Sequence, residues 1–236
     1  MSVKCNLKNS ATTFLILLLT GTSIISCKKK PQAEEPVPTA TINGTSYRTV
    51  KIGTQLWTAV NYNGPGGINY NNGTNDPTYG KLYTRIEAQN LSLPDGWRLP
   101  SKADFEKLIA SFPHKQQNGY LQLQTDALVQ LMSTTSWRDK NGNNSSGFNA
   151  TGAGIAYVDS GNENTFRFRG LETQFISSTS ENITNGGITR PMTWTLIIHS
   201  EVTTDPQPFT DFYGAVGDVV NSDFYRYSIR LVKDVN

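Results

Sequence analysis

Beyond Cys27 the chain contains no cysteine, although its first residues are written for export. An exported domain without an internal disulfide must hold itself together by packing alone. It therefore needs a sizeable apolar core. The 236 residues, 36% of them hydrophobic and 10% aromatic, are enough for one large domain. Twenty glycines and eleven prolines point to a strand- and loop-rich chain rather than a helical one.

The leader is legible in order. Lys4 and Lys8 form a short basic region, Phe14 to Leu19 is an apolar run, and Ser26 precedes Cys27. The apolar run is too short to span a bilayer comfortably. Ile24-Ile25-Ser26-Cys27 resembles a loose bacterial lipobox, in which Cys27 is lipidated and becomes the mature N-terminus. Ordinary cleavage that leaves a free cysteine is the alternative. Several acyl chains would anchor the protein stably where one would not. The expected location is thus the bacterial membrane, on the outer membrane or cell surface. Residues 1–26 are read as signal, 27–40 as a charged, proline-rich tether, and 41–236 as the folded domain.

Charge excludes one class of partner. Loss of Lys4 and Lys8 with the leader leaves 19 basic against 19 acidic residues. The only basic run is Lys28-Lys29-Lys30 beside the anchor, where it can meet lipid phosphates. Nothing supports binding of nucleic acid.

Short alternating segments predict strands at 46–52 and 55–60, with Gly53 as the turn. Further strands are expected at 166–169, at 192–199 with Trp194, Leu196 and Ile198 on one face, and at 225–232. The last would put Arg226, Ser228, Arg230 and Val232 on a common face. Ser101 and Asp104 read as an aspartate version of the capping box, followed by Phe105, Leu108, Ile109 and Phe112 at helical spacing. A second helix is expected from Thr125 or Asp126 to Met132. Trp57, Trp97, Trp137 and Trp194 are read as core or core-edge rings. Residues 61–78, NYNGPGGINYNNGTNDPT, form a loop long enough to suggest function.

Several stretches fall in a familiar order: KIGTQLWTAVNYN, YGKLYT, LPDGWRLPSKADFEKLI, TSW with NGNNSSGFNATGAG, FISSTS and YSIRLVKD. Over residues 45–236 they resemble the Fibrobacter succinogenes major paralogous domain, found on exported bacterial proteins and often on lipoproteins. The resemblance implies an α+β domain of the C-type lectin-like superfold. In it, N- and C-terminal strands pair, and two helices flank small antiparallel sheets and long loops. The chain departs from the family pattern at Ile176, where tryptophan is usual, and at Arg98, where histidine is usual. It also lacks the frequent cysteine near Leu93 and Pro94. The family has no generally established activity.

Catalytic and metal chemistry finds little footing. His114 and His199 are far apart and have no cysteine beside them, so no zinc site is expected. Asp139, Asn141 and Asn143 alternate like oxygen ligands, but an EF-hand needs Gly and Glu where Asn144 and Ala150 stand, and a turn is preferred. The paired cysteines of formylglycine-generating enzymes are missing. No Gly-x-Ser-x-Gly elbow is present. Asp76, Glu87, Asp159, Glu172, Glu181, Asp211 and Asp223 offer carboxylates without a spacing that selects a pair. No catalytic residue and no cofactor is therefore assigned. Aromatic rings stack on sugars and Asn, Asp and Arg read hydroxyls, so Tyr62, Tyr70, Asn71, Asn72 and Asp76 are candidate ligand contacts. Asp211 and Tyr213 in a later loop, and Arg98, complete the set. The expectation is a non-enzymatic binding or adhesion domain for a glycan or a surface protein. A polysaccharide hydrolase and a structural subunit of a surface assembly remain as alternatives.

Overall fold

An Asn-Gly dipeptide sets the first hairpin. Asn43 and Gly44 both take positive φ, 48° and 80°, as a two-residue turn that matches strand twist requires. The computed structural model describes residues 38–94, 96–117, 120–158, 163–185, 187–200, 212–216 and 224–235. Residues 1–37, which include Cys27 and most of the stretch expected to be leader and tether, lie outside them.

In chain order the elements are β1 (Thr39–Ile42), β2 (Thr45–Ile52), β3 (Gln55–Thr58) and β4 (Tyr83–Thr84). Helices α1 (Arg85–Gln89) and α2 (Lys102–Ala110) follow, then β5 (His114–Gln117), β6 (Tyr120–Leu123) and α3 (Thr125–Leu131). The remainder is β7 (Ile155–Val158), β8 (Asn164–Arg167), β9 (Glu172–Asn185), β10 (Ile188–His199), β11 (Phe212–Val216), β12 (Tyr225–Tyr227) and β13 (Val232–Asp234). The fold is α+β, with small antiparallel sheets ordered β1-β2-β3-β13, β4-β12-β7-β8 and β11-β10-β9, and a separate β5-β6 hairpin. The C-terminal β13 pairs with the N-terminal β3, Val232 opposite Trp57. β1 begins within the stretch expected to be tether, and α1 is a helix the periodicity did not reveal.

Both expected helices form, α2 from a side-chain capping box and α3 without a side-chain cap. Ser101 accepts from the Asp104 amide and Asp104 answers the Ser101 amide, so both orphan donors of α2 are satisfied. The helix buries Phe105, Leu108 and Ile109. α1 has its own capping box, Thr84 with Glu87.

Strand alternation divides the core in two. Trp57, Phe175 and Val232 belong to one cluster with α2 and α3; Ile176, Leu231 and Tyr47 belong to the other with Tyr62, Tyr83 and Tyr227. Successive residues of β9 thus point into different clusters, as a period of two demands. β2 does the same, with Tyr47 in one cluster and Ile52 in the other. All four tryptophans are buried.

The expected strand 225–232 is not continuous. The chain leaves one sheet after Tyr227 and enters another at Val232, and everything from Tyr227 to Val232 is buried. Arg230 is the reason. Its guanidinium is completely buried and donates to Asn61 Oδ1 (2.8 Å) and to the carbonyls of Thr58 (2.8 Å), Phe148 (2.6 Å) and Asn149 (2.8 Å). The rings of Phe148 and Phe175 lie 4.7 and 5.2 Å from it. Burial pushes its pKa down to about 9, so it stays protonated at neutral pH. Among the described residues no carboxylate pairs with it. Alternation had placed Arg230 on an ordinary strand face; a strand in register could not deliver its donors to carbonyls from three segments.

Glu87 performs a similar tying role near the surface. Its carboxylate accepts from the amides of Thr84 (2.8 Å) and Gly67 (3.2 Å) and pairs with Arg226 at 2.7 Å. It thereby joins α1, the long loop and β12.

Arg230→Met should cost about 3–5 kcal/mol, because the buried acceptors lose their donors. Arg230→Lys keeps the charge without the fork and should recover less than roughly half of that. Both are read from denaturant midpoints. For Glu87, burial raises the carboxyl's pKa, but the Thr84 amide, the Arg226 charge and the Gly67 amide outweigh it and leave the pKa below the ordinary 4.5. A depressed carboxyl stabilises the fold above its unfolded value, and this is lost as pH falls through the folded value. Glu87→Gln should therefore flatten the decline in stability below pH 4.5, measured by denaturation across that range.

Candidate functional site

The long loop is built from both ends inward. Asn61 at its start donates to the Tyr79 carbonyl at 2.9 Å and accepts from Arg230, so the loop's base is fixed to the core. Lys81 at its end donates to the carbonyls of Gly64 and Gly66, each at 3.1 Å. Between them Ile68 bridges Leu82, and a 3-10 turn spans Tyr70–Asn72. Asn71 and Asn72 sit in the left-handed region, φ 54° and 51°, which asparagine tolerates better than most residues. Asp76 makes an Asx turn, its Oδ1 accepting from the Thr78 amide at 3.0 Å, while its carbonyl accepts from Tyr79 and Gly80.

This loop meets the turn between β8 and β9. Asp76 Oδ2 pairs with Arg169 Nη2 at 3.1 Å. The Arg169 guanidinium lies 4.1 Å from the Tyr79 ring centre and 5.3 Å from that of Tyr70, favourable cation–π geometry. Tyr70 in turn packs on Phe166 of β8, ring centres 5.0 Å apart. Arg138 donates to the Arg169 carbonyl at 3.4 Å. Phe168 stands next to this cluster with 46% of its surface exposed and φ at 65°.

The expected contacts therefore separate. Tyr70 and Asp76 come together through Arg169, and Asn71 and Asn72 are exposed beside them. Tyr62 does not join them. It is fully buried, stacked on Tyr47 at 5.7 Å and tilted on Tyr83 at 5.5 Å, because the loop's first residues are drawn into the tyrosine core. Its ring has no open face for a ligand, so its assignment as a contact is withdrawn.

Arg98 is a structural strut: Nη2 reaches Asp104 Oδ1 (2.6 Å) and Asp234 Oδ2 (2.9 Å), joining the cap of α2 to β13. Tyr213 lies on β11 in register with Thr195, and Asp211 is outside the described residues. Arg169, Tyr79 and Phe168 were missed. Arg169 is 93 residues from Asp76, and no local pattern links them.

Other chemistries can be placed against the same geometry. The described candidate carboxylates each face a different partner: Asp76 meets Arg169, Glu87 meets Arg226, Glu172 meets the His199 imidazole and Glu181 meets Lys102. Asp159, Asp211 and Asp223 lie outside the described residues. Asn141, Asn143 and Asn144 spend their side-chain oxygens on the amides of Trp137, Ser145 and Asn149, which is turn chemistry. Among the described residues no group of three His, Cys, Asp or Glu is placed to hold a metal.

The model of the Fibrobacter succinogenes major domain matches residues 50–233, from the middle of β2 into β13. No curated protein and no solved structure matches the chain. With most of its length covered, including the pairing of β3 with β13 and the capped α2, the chain belongs to the Fibrobacter succinogenes major domain family.

Proposed function

We propose that this chain is an exported lipoprotein anchored through Cys27, carrying a non-enzymatic, C-type lectin-like binding or adhesion module. Its ligand is a glycan or a protein partner at the cell surface. The contact surface is the face where the 61–80 loop meets the β8–β9 turn.

One observation carries the reading. Phe168 is a bulky residue held at φ 65° with nearly half its surface in water. A left-handed conformation costs such a residue roughly 1–2 kcal/mol, and exposure forgoes the gain of burying its ring. Its backbone carbonyl accepts from Leu171 and Glu172, a turn that glycine or asparagine would make with less strain. Strain of this kind clusters where function needs it. The neighbouring cation and tyrosines supply the remaining elements of a recognition surface.

Phe168→Asn should raise stability by about 1 kcal/mol, by relieving the strained conformation. The same variant should lose ligand capture, screened with the full chain in detergent on a broad glycan array and by crosslinking on cells. Unchanged capture would move the surface elsewhere. The anchor is tested separately: Cys27→Ala should leave the membrane fraction on cell fractionation, and persistent tight membrane association would refute lipidation at Cys27.

A further inference from the structure

We infer that the site takes an acidic saccharide, one whose ring carboxylate replaces Asp76 on Arg169. This rests on the binding reading above and names the ligand class.

Arg169 is held by its faces and left open at its edge. The Tyr79 ring fixes the plane of the guanidinium at 4.1 Å, with Tyr70 at 5.3 Å. Among the described residues its guanidinium makes one hydrogen bond, from Nη2 to Asp76. A guanidinium has five N–H donors in a fixed fork that matches a carboxylate two bonds at a time. A single-point contact therefore leaves most of that capacity unused. The side chains of Arg169 and Asp76 are 38% and 44% exposed, so water competes for this ion pair throughout. Exposed pairs of this kind are weak and readily exchanged. Asp76 does not need Arg169 to keep its shape, because its other oxygen still holds the Thr78 amide. It acts as an internal placeholder for a carboxylate from outside.

The remaining surroundings select the body of the ligand. Tyr70, partly exposed, presents ring surface 5.3 Å from the cation, and Phe168, one residue before Arg169, is 46% exposed. Sugar rings offer apolar C–H faces to such surfaces, and a uronic acid carries its carboxylate at the ring's rim. A neutral sugar has nothing with which to displace Asp76.

The experiment titrates the full chain in detergent with polygalacturonate and with the same polymer after reduction of its carboxyls to neutral alcohols. Wild type should bind the acidic polymer and bind the reduced one at least about tenfold more weakly. Asp76→Asn, which keeps the Thr78 contact through its amide oxygen, should bind polygalacturonate up to about fivefold more tightly, because the internal competitor is gone. Arg169→Gln should lose that binding. A purely structural latch predicts the opposite for Asp76→Asn, namely weaker binding or none, and that result overturns the inference. Equal binding of acidic and reduced polymers also overturns it, while leaving the binding module intact. Failure of every saccharide and of cell-surface crosslinking would remove both readings.

Discussion

The buried guanidinium of Arg230 is the constraint around which the rest is arranged. A charge with no carboxylate partner in an apolar interior is costly unless its donors are met. Here Thr58 at the end of β3, Asn61 at the base of the long loop, and Phe148 with Asn149 from a distant turn meet them. Three of those acceptors are backbone carbonyls at a strand end and a bend, and the fourth is the Asn61 side-chain oxygen; regular strand pairing does not satisfy them. One side chain thus replaces ladder hydrogen bonds for three irregular segments, in a domain that has no disulfide to hold them. The cost of burying the charge is offset by four charge-assisted bonds and two aromatic faces.

This arrangement explains how the base of a long polar loop is held to the core. Asn61 passes the constraint outward, accepting from Arg230 and donating to the Tyr79 carbonyl. Glu87 holds the loop's middle through Gly67, and Lys81 gathers Gly64 and Gly66. The tip beyond Ile68 is then the part left to polar and aromatic contacts with the β8–β9 turn. A base held by buried hydrogen bonds and a tip held by exposed contacts would suit the binding role proposed for this loop. The strain at Phe168 fits the same division: stability is supplied by the core and given up locally at the surface.

Much of the architecture was legible in the residues. The capping box at Ser101 and Asp104, the turn at Gly53, the tryptophans as core and the Trp194 face of β10 all follow from local rules, and the structure keeps them. The Asn43-Gly44 hairpin went unread, although that dipeptide before a strand signals a primed turn. The reading failed where local pattern and long-range demand diverged. Tyr225 to Val232 alternates like one strand, yet Arg230 draws it inward and splits it. Tyr62 sits among loop residues, yet the tyrosine cluster claims it.

Sequence alone determined the local elements and the dependence on packing, because caps, turns and alternation act over a few residues. Only the tertiary structure decided which polar groups are buried and which meet. Arg230 and Asn61 are 169 residues apart, and Asp76 and Arg169 are 93 apart. Contacts at that range depend on how irregular loops return the chain, and loops have no periodicity from which their path could be read.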